Sequence, residues 1–232
     1  LLNSDAEPAG DWLRRLAAGA AADPRIASLT PWSNNGEIVS FPNFVSPNPL
    51  PDDPEGIARA ASRLTPRYPD LPTAVGFCMF LCRAALDAVG GFDAETFGKG
   101  YGEENDWCLR AEGHGWRHAL CDDAYVVHRG HASFAATGLA PGGENLRRLN
   151  ARWPGYNERI ARSTTRCAAT ARGWPTASLC WRPRARRGTC SDEHAPMSDA
   201  TPLAFTGERY HPEIPREMAY EHWHRYAFAL EL

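Results

Sequence analysis

Thr73-Ala74-Val75-Gly76-Phe77-Cys78-Met79-Phe80-Leu81-Cys82-Arg83-Ala84-Ala85-Leu86-Asp87-Ala88-Val89-Gly90-Gly91 reads as a strand, a turn and a helix. The apolar run over 73–81 has the composition of a strand buried on both faces. Arg83 to Val89 predicts a short helix, and Gly90-Gly91 supply the backbone freedom that ends it. The alternation continues on both sides. Downstream, Glu103 to Gly113 predicts a helix stopped by Gly113 and Gly115, followed by strands over 116–120 and 124–128 and a helix over 144–152. Upstream, Leu1-Leu2 looks like a strand end. Trp12, Leu13, Leu16, Ala17 and Ala20 share one face of a helix over 8–22 that Asp23-Pro24 stops. A strand over 26–29, a Pro/Asn-rich loop over 31–54 and a helix over 54–64 complete the pattern. Such alternation predicts an α/β sheet flanked by helices.

Composition narrows the function. The chain has 232 residues, 43% hydrophobic and 23% charged, with a net charge of -3. There is no basic surplus to attract nucleic acid or an anionic membrane. No apolar run approaches the roughly 20 residues of a membrane helix, and the first residues lack the basic region of a signal peptide. The expectation is a cytoplasmic protein, at most peripheral to the inner face of the membrane. Seven cysteines, an odd number with no C-x-x-C pair, predict buried thiols rather than a disulfide framework or a structural zinc site. After Ile160 the composition shifts to Arg, Ala, Cys and Trp without a clear period. The expected organisation is a domain over 1–160, a disordered linker over 161–196 and a separate region over 197–232, with a helix from Glu217 to Leu232.

Four segments could carry chemistry. Asn3-Ser4-Asp5 follows an apolar strand end. A carboxylate there could hold a hard divalent cation beside a diphosphate, although Asn-x-Asp after a strand is more often a turn bonding its own backbone. Tyr101-Gly102-Glu103-Glu104-Asn105-Asp106-Trp107 places three carboxylates in four positions. They could complement a helix dipole, with Asp106 and Arg110 spaced for an ion pair, or supply a general base whose pKa is raised by crowding. Glu103, Asp106 and Arg110 share a face, which leaves Glu104 free to face a substrate. Asp122 to His128 is a strand ending in an imidazole that could complete a metal site, with His131 as a competitor. Asn34 and Asn35, after Trp32, could bind a sugar or close a polar turn.

In this order, Leu1 to Glu7, Pro31 to Asn35, Val75 to Met79 with Val89 to Asp93, Tyr101 to Arg110 and Asp123 to His128 resemble the motifs of family 2 glycosyltransferases of the rhamnosyltransferase type. The likeness covers roughly 1–153. It implies the C-terminal part of a GT-A-type mixed sheet, and inverting transfer from a nucleotide-diphospho-sugar donor to a saccharide or lipid-linked glycan in cell-surface polysaccharide synthesis. It also implies a Mg2+ or Mn2+ ion. The metal would sit at Asp5, Asn3 and His128, with Asp5 the main ligand because Asn3 replaces a carboxylate. Glu104 would be the base where the family commonly has Asp, with Asp106 also at the catalytic centre. Glu103, Trp107, Gly102, Asn34 and Asn35 would line the substrate site. The family's nucleotide-binding strands would lie upstream of Leu1, so this stretch alone is expected to bind donor poorly.

Two other readings remain open. The chain could be a carbohydrate-binding or structural fragment without catalysis. Phe205 to Pro212 and Glu221 to Tyr226 also resemble the opening of class I methyltransferases that use S-adenosylmethionine, which would make the rest an appendage of such an enzyme.

Overall fold

The computed structural model describes residues 1–43, 47–98, 101–130 and 143–171, with side chains as far as Ser163. Its centre is one long strand, β5 (Arg117–His128), buried over all but its two end residues. β2 (Ile26–Trp32), buried throughout, runs parallel to it, from Ile26 beside Arg117 to Trp32 beside Tyr125. β1 (Ala6–Pro8) lies antiparallel along the C-terminal end of β5, with Ala6 opposite His128. β3 (Asp70–Leu71) pairs antiparallel near its N-terminal end, and β4 (Phe80–Leu81) pairs antiparallel with β2. The sheet order is β1-β5-β2-β4, with β3 on β5.

Helices α1 (Trp12–Ala22), α2 (Pro54–Ala61), α3 (Arg83–Val89), α4 (Ala94–Phe97), α5 (Glu103–Gly113), α6 (Glu144–Arg152) and α7 (Tyr156–Ala171) flank it. α1 and α2 pack on β5, and their contacts join a core that includes Leu16, Leu29, Ile57, Leu120 and Tyr125. Gly19 of α1 permits this approach: a Cβ there would fall 2.5 Å from Leu29 Cδ2. α2 starts where Asp53 accepts a hydrogen bond from the Gly56 N–H at 2.7 Å, with Pro54 at the first helical position. The mixed α/β architecture matches the sequence pattern.

Some segments depart from it. Only Phe80 and Leu81 of the apolar run over 73–81 belong to a paired strand. Before them the backbone bonds to other partners. Ala74 N–H donates to Cys108 Sγ and Val75 N–H to Thr30 Oγ1, while Phe77 O accepts from Asn3 N–H and Met79 N–H donates to Leu1 O. The run is buried, but loop-like partners replace a neighbouring strand. Conversely, the two expected strands over 116–128 are one, because Asp122 and Asp123 do not form a turn. Asp122 accepts the N–H groups of Arg67 and Tyr68, and Asp123 pairs with Arg15 at 2.6 Å. α7 crosses position 160 and stays helical to Ala171, where sequence composition predicts linker. The remainder of 161–196 from 172, and all of 197–232 with its expected helix, lie outside the described residues.

Candidate functional site

β2 and β5 are parallel, so their C-terminal ends open side by side at one edge of the sheet, where loops of α/β proteins hold ligands. His128 ends β5. Asn34 and Asn35 follow β2. Asn34 is 2% exposed and clamps the backbone of His128: its Nδ2 donates to His128 O at 2.9 Å, and its Oδ1 accepts from His128 N–H at 2.8 Å. Asn35 acts through its main chain, its carbonyl lying 2.5 Å from His128 Nδ1. A carbonyl can only accept, so Nδ1 carries a proton, and Nε2 is the ring nitrogen left to face a second group. The other face of the ring system is set by Phe77, stacked at 5.1 Å and 20°.

Nε2 points at Asp5, 3.3 Å from its Oδ1. β1 places Asp5 there: Ala6 pairs with His128, and Arg129 N–H donates to Asp5 O at 3.0 Å. Burial works against ionisation of the Asp5 carboxyl. Hydrogen bonding and charge from His128, with its own N–H and that of Gly130, outweigh burial and hold it below its ordinary value. Asn3 contributes backbone, its N–H donating to Phe77 O at 2.9 Å and its carbonyl accepting from Ala6 N–H. That is the turn the residue types also allowed, and it carries Asp5 to His128.

Glu104 comes to the same patch by way of Gly76 and Phe77. Its carboxylate lies over Gly76, where a Cβ would be 3.6 Å from Oε1. The side chain is half-buried, and Oε2 has no hydrogen-bond partner among the described residues. Burial raises its pKa; the N–H groups at the start of α5 pull it back, and the charge of Glu37 pushes it up again. Glu37 is a carboxylate that the sequence motifs did not single out. Desolvation by the surrounding protein raises its carboxyl, against the influence of His128. Its backbone is left-handed, φ 50°, a conformation that a non-glycine residue adopts only under constraint. No sequence pattern encodes that. Tyr156 of α7, 9% exposed, borders the same carboxylates, and its hydroxyl is raised by burial first and then by Glu37 and Glu104.

The other members of the acidic segment serve the scaffold. Asp106 is 0% exposed and fully engaged: Oδ2 accepts from Arg110 Nε at 2.9 Å, and Oδ1 from Arg152 Nη1 at 3.0 Å and Trp153 Nε1 at 2.9 Å. Where the sequence suggests a catalytic Asp106, the structure shows a buried carboxylate joining α5 to α6. Trp107, expected to bind substrate, is core: it is 0% exposed, its Nε1 donates to Gly90 O at 2.8 Å, and it packs edge-on against Phe92 and His118. Glu103 is 9% exposed and engaged within the protein. Gly102 supplies the turn into α5 at φ 114°, and a Cβ there would crowd Phe97 Cδ1 at 3.1 Å. Asn34 likewise holds His128 with its amide, and Asn35 does so with its main-chain carbonyl.

Among the described residues no three His, Cys, Asp or Glu side chains converge as a metal cluster; the protein donors here are the Asp5–His128 pair. His131 lies outside the described residues. Among the residues described with side chains, Cys78, Cys108 and Cys121 are buried free thiols and Cys82 is a half-buried one. No described helix is long and apolar enough to cross a membrane.

Comparison with known proteins gives relatives without assigned activities. Over 93 residues the chain is 36% identical to an uncharacterized protein of Mycobacterium bovis and to two of Mycobacterium tuberculosis, a match covering 40% of this chain and 33% of each relative. The chain therefore spans about a third of the length of the curated relatives it matches. No protein family's profile matches the chain, and no solved structure does.

Proposed function

We propose that the chain carries the acceptor and metal side of an inverting glycosyltransferase of the GT-A type, using a nucleotide-diphospho-sugar donor and a saccharide or lipid-linked acceptor. The observation that supports it most is that two unlike groups flank the Gly76-Phe77 backbone. One is a half-buried carboxylate with an unpartnered oxygen, Glu104. The other is an aspartate–imidazole pair, with His128 Nε2 3.3 Å from Asp5 Oδ1.

Glu104 is the base. Its raised pKa brings it toward the operating range in which a carboxylate both takes up and releases a proton. It removes the proton of the acceptor hydroxyl. The hydroxyl oxygen then forms a bond to the anomeric carbon as the bond to the diphosphate breaks on the opposite side, which inverts the configuration. Gly76 keeps the backbone beside Glu104 free of a side chain. Asp5 and His128 would hold Mg2+ or Mn2+. One oxygen and one imidazole nitrogen fit an ion that takes its other ligands from phosphate and water, and the nitrogen suits Mn2+ better. That ion would neutralise charge developing on the diphosphate. Asn34, Asn35 and Phe77 fix the imidazole so that Nε2 and Asp5 stay in register.

The test is sugar transfer or donor hydrolysis by the protein over a panel of nucleotide sugars with Mn2+. Glu104→Gln, nearly isosteric, should lower turnover by about 10²–10⁴, the usual contribution of a general base. Full turnover in Glu104→Gln would refute the assignment.

A further inference from the structure

A cavity lies at the opposite end of β5, roughly 35 Å from His128 at about 3.3 Å per strand residue. It measures about 300 Å³ and is framed by β3, the start of β5, α5 and α7. That volume is at the small end of ligand sites.

Its walls have a defined charge pattern. Arg117 is shared by Asp23 and Asp70, and Arg159 is paired with Glu112 at 2.5 Å. Arg162 is exposed on the same wall and has no ionic or hydrogen-bond partner among the described residues. Next to it, Ser163 is 6% exposed, lines the cavity, and has an Oγ with no hydrogen-bond partner. A buried hydroxyl left unsatisfied costs free energy, which a ligand would recover. His118 offers nothing: its Nε2 faces Cys108 O at 2.9 Å and its Nδ1 faces Ser28 Oγ at 2.7 Å, so both nitrogens are used. Half-buried Trp116, with Leu71 and Pro72, supplies an apolar wall.

We infer that this cavity binds a small sugar bearing one anionic substituent, a phosphate or a carboxylate, with Arg162 and Ser163 taking the anionic end. One unpaired guanidinium matches one anionic group. Asp70 and Glu112, each already bonded to an arginine, retain acceptor capacity for hydroxyl groups. These carboxylates repel a bare multivalent anion, so a polyol body is favoured over inorganic phosphate. Trp116 gives that body a face to lie on. The site is independent of the transfer chemistry at Glu104.

Calorimetric titration of the whole chain with glucose 6-phosphate, glucuronate, glucose and inorganic phosphate tests this. Glucose 6-phosphate and glucuronate separate the two sources of the anionic group, and saturable binding of either supports the site. That sugar should bind at least about tenfold more tightly than glucose or phosphate, as expected for charge-assisted hydrogen bonds. Arg162→Glu should abolish the binding without shifting the melting temperature, since Arg162 is exposed, and Glu104→Gln should leave it unchanged. Absence of saturable binding, equal binding of glucose or phosphate, or full binding by Arg162→Glu would each overturn the inference.

Discussion

Replacing Asp106 by alanine separates a catalytic carboxylate from a structural one. The side chain is fully buried and accepts three hydrogen bonds, two of them from the guanidiniums of Arg110 and Arg152 and one from the Trp153 indole. Deleting one partner of a buried ion pair costs about 3–5 kcal/mol. Here the arginine side chains are 26% and 37% exposed, so water recovers part of their solvation and the low end applies. The indole N–H adds about 1 kcal/mol of lost bonding. The sum is about 4 kcal/mol. For a domain of this size each kcal/mol moves the melting temperature by about 2–4 °C, so the expected drop is about 8–16 °C. Asp106→Asn keeps an acceptor oxygen for one of the donors and should fall roughly half as far. The assay is thermal unfolding followed by circular dichroism, run beside donor turnover. If Asp106→Ala melts within about 2 °C of the parent, less than a single kcal/mol, while turnover is lost, the structural role is wrong and a catalytic one returns.

Three further outcomes follow from the site. Burial raises Glu104 above its ordinary 4.5. The folded state therefore holds its proton more tightly than the unfolded chain, and stability falls as pH rises through the window between the two values; melting at pH 4 and pH 8 should show Glu104→Gln more stable than the parent at pH 8 and without that gain at pH 4. His128→Ala should weaken Mn2+ binding by at least about tenfold, as loss of a ligand or its support does, measured by Mn2+ relaxation titration in the presence of a nucleoside diphosphate. Asn34→Ala strips the partners from His128 N–H and C=O and should cost about 2–3 kcal/mol in urea unfolding, with Mn2+ affinity falling alongside.

The elements were legible where periodicity and stop signals agreed. α3 ends at Val89 before Gly90, α5 at Gly113 and α6 at Arg152, as the glycines and the helical pattern indicate. The pattern predicts separate strands over 116–120 and 124–128; only the fold supplies Arg15 and the 67–68 backbone that hold Asp122 and Asp123 inside one strand. The run over 73–81 failed in the opposite sense. Burial alone does not specify a strand, and its partners come from Leu1, Asn3, Thr30 and Cys108, which no local pattern announces. At the site, Asp5, Glu104 and His128 were identifiable as candidates. Glu37 was not, since its placement depends on a backbone angle and on the packing of Tyr156 from a helix more than 100 residues away in sequence.

The acidic start of α5 shows why residue type alone could not assign roles there. Glu104 and Asp106 are two positions apart, so a helix turns them about 200° from one another. One must face inward if the other reaches the edge of the sheet. Arg110, one turn beyond Asp106, and Arg152 of α6 fix which one: their guanidiniums need a carboxylate on the inner side, and Asp106 is the short chain that fits beneath Trp153. That leaves the longer Glu104 above Gly76, with an oxygen that the scaffold does not use. The charge that could not be shared within the helix is thereby divided into a neutralised half and an available half. The availability of Glu104 is then a consequence of the α5–α6 contact, so weakening that contact at Arg152 should lower turnover through Glu104 even though Arg152 itself touches no reacting group.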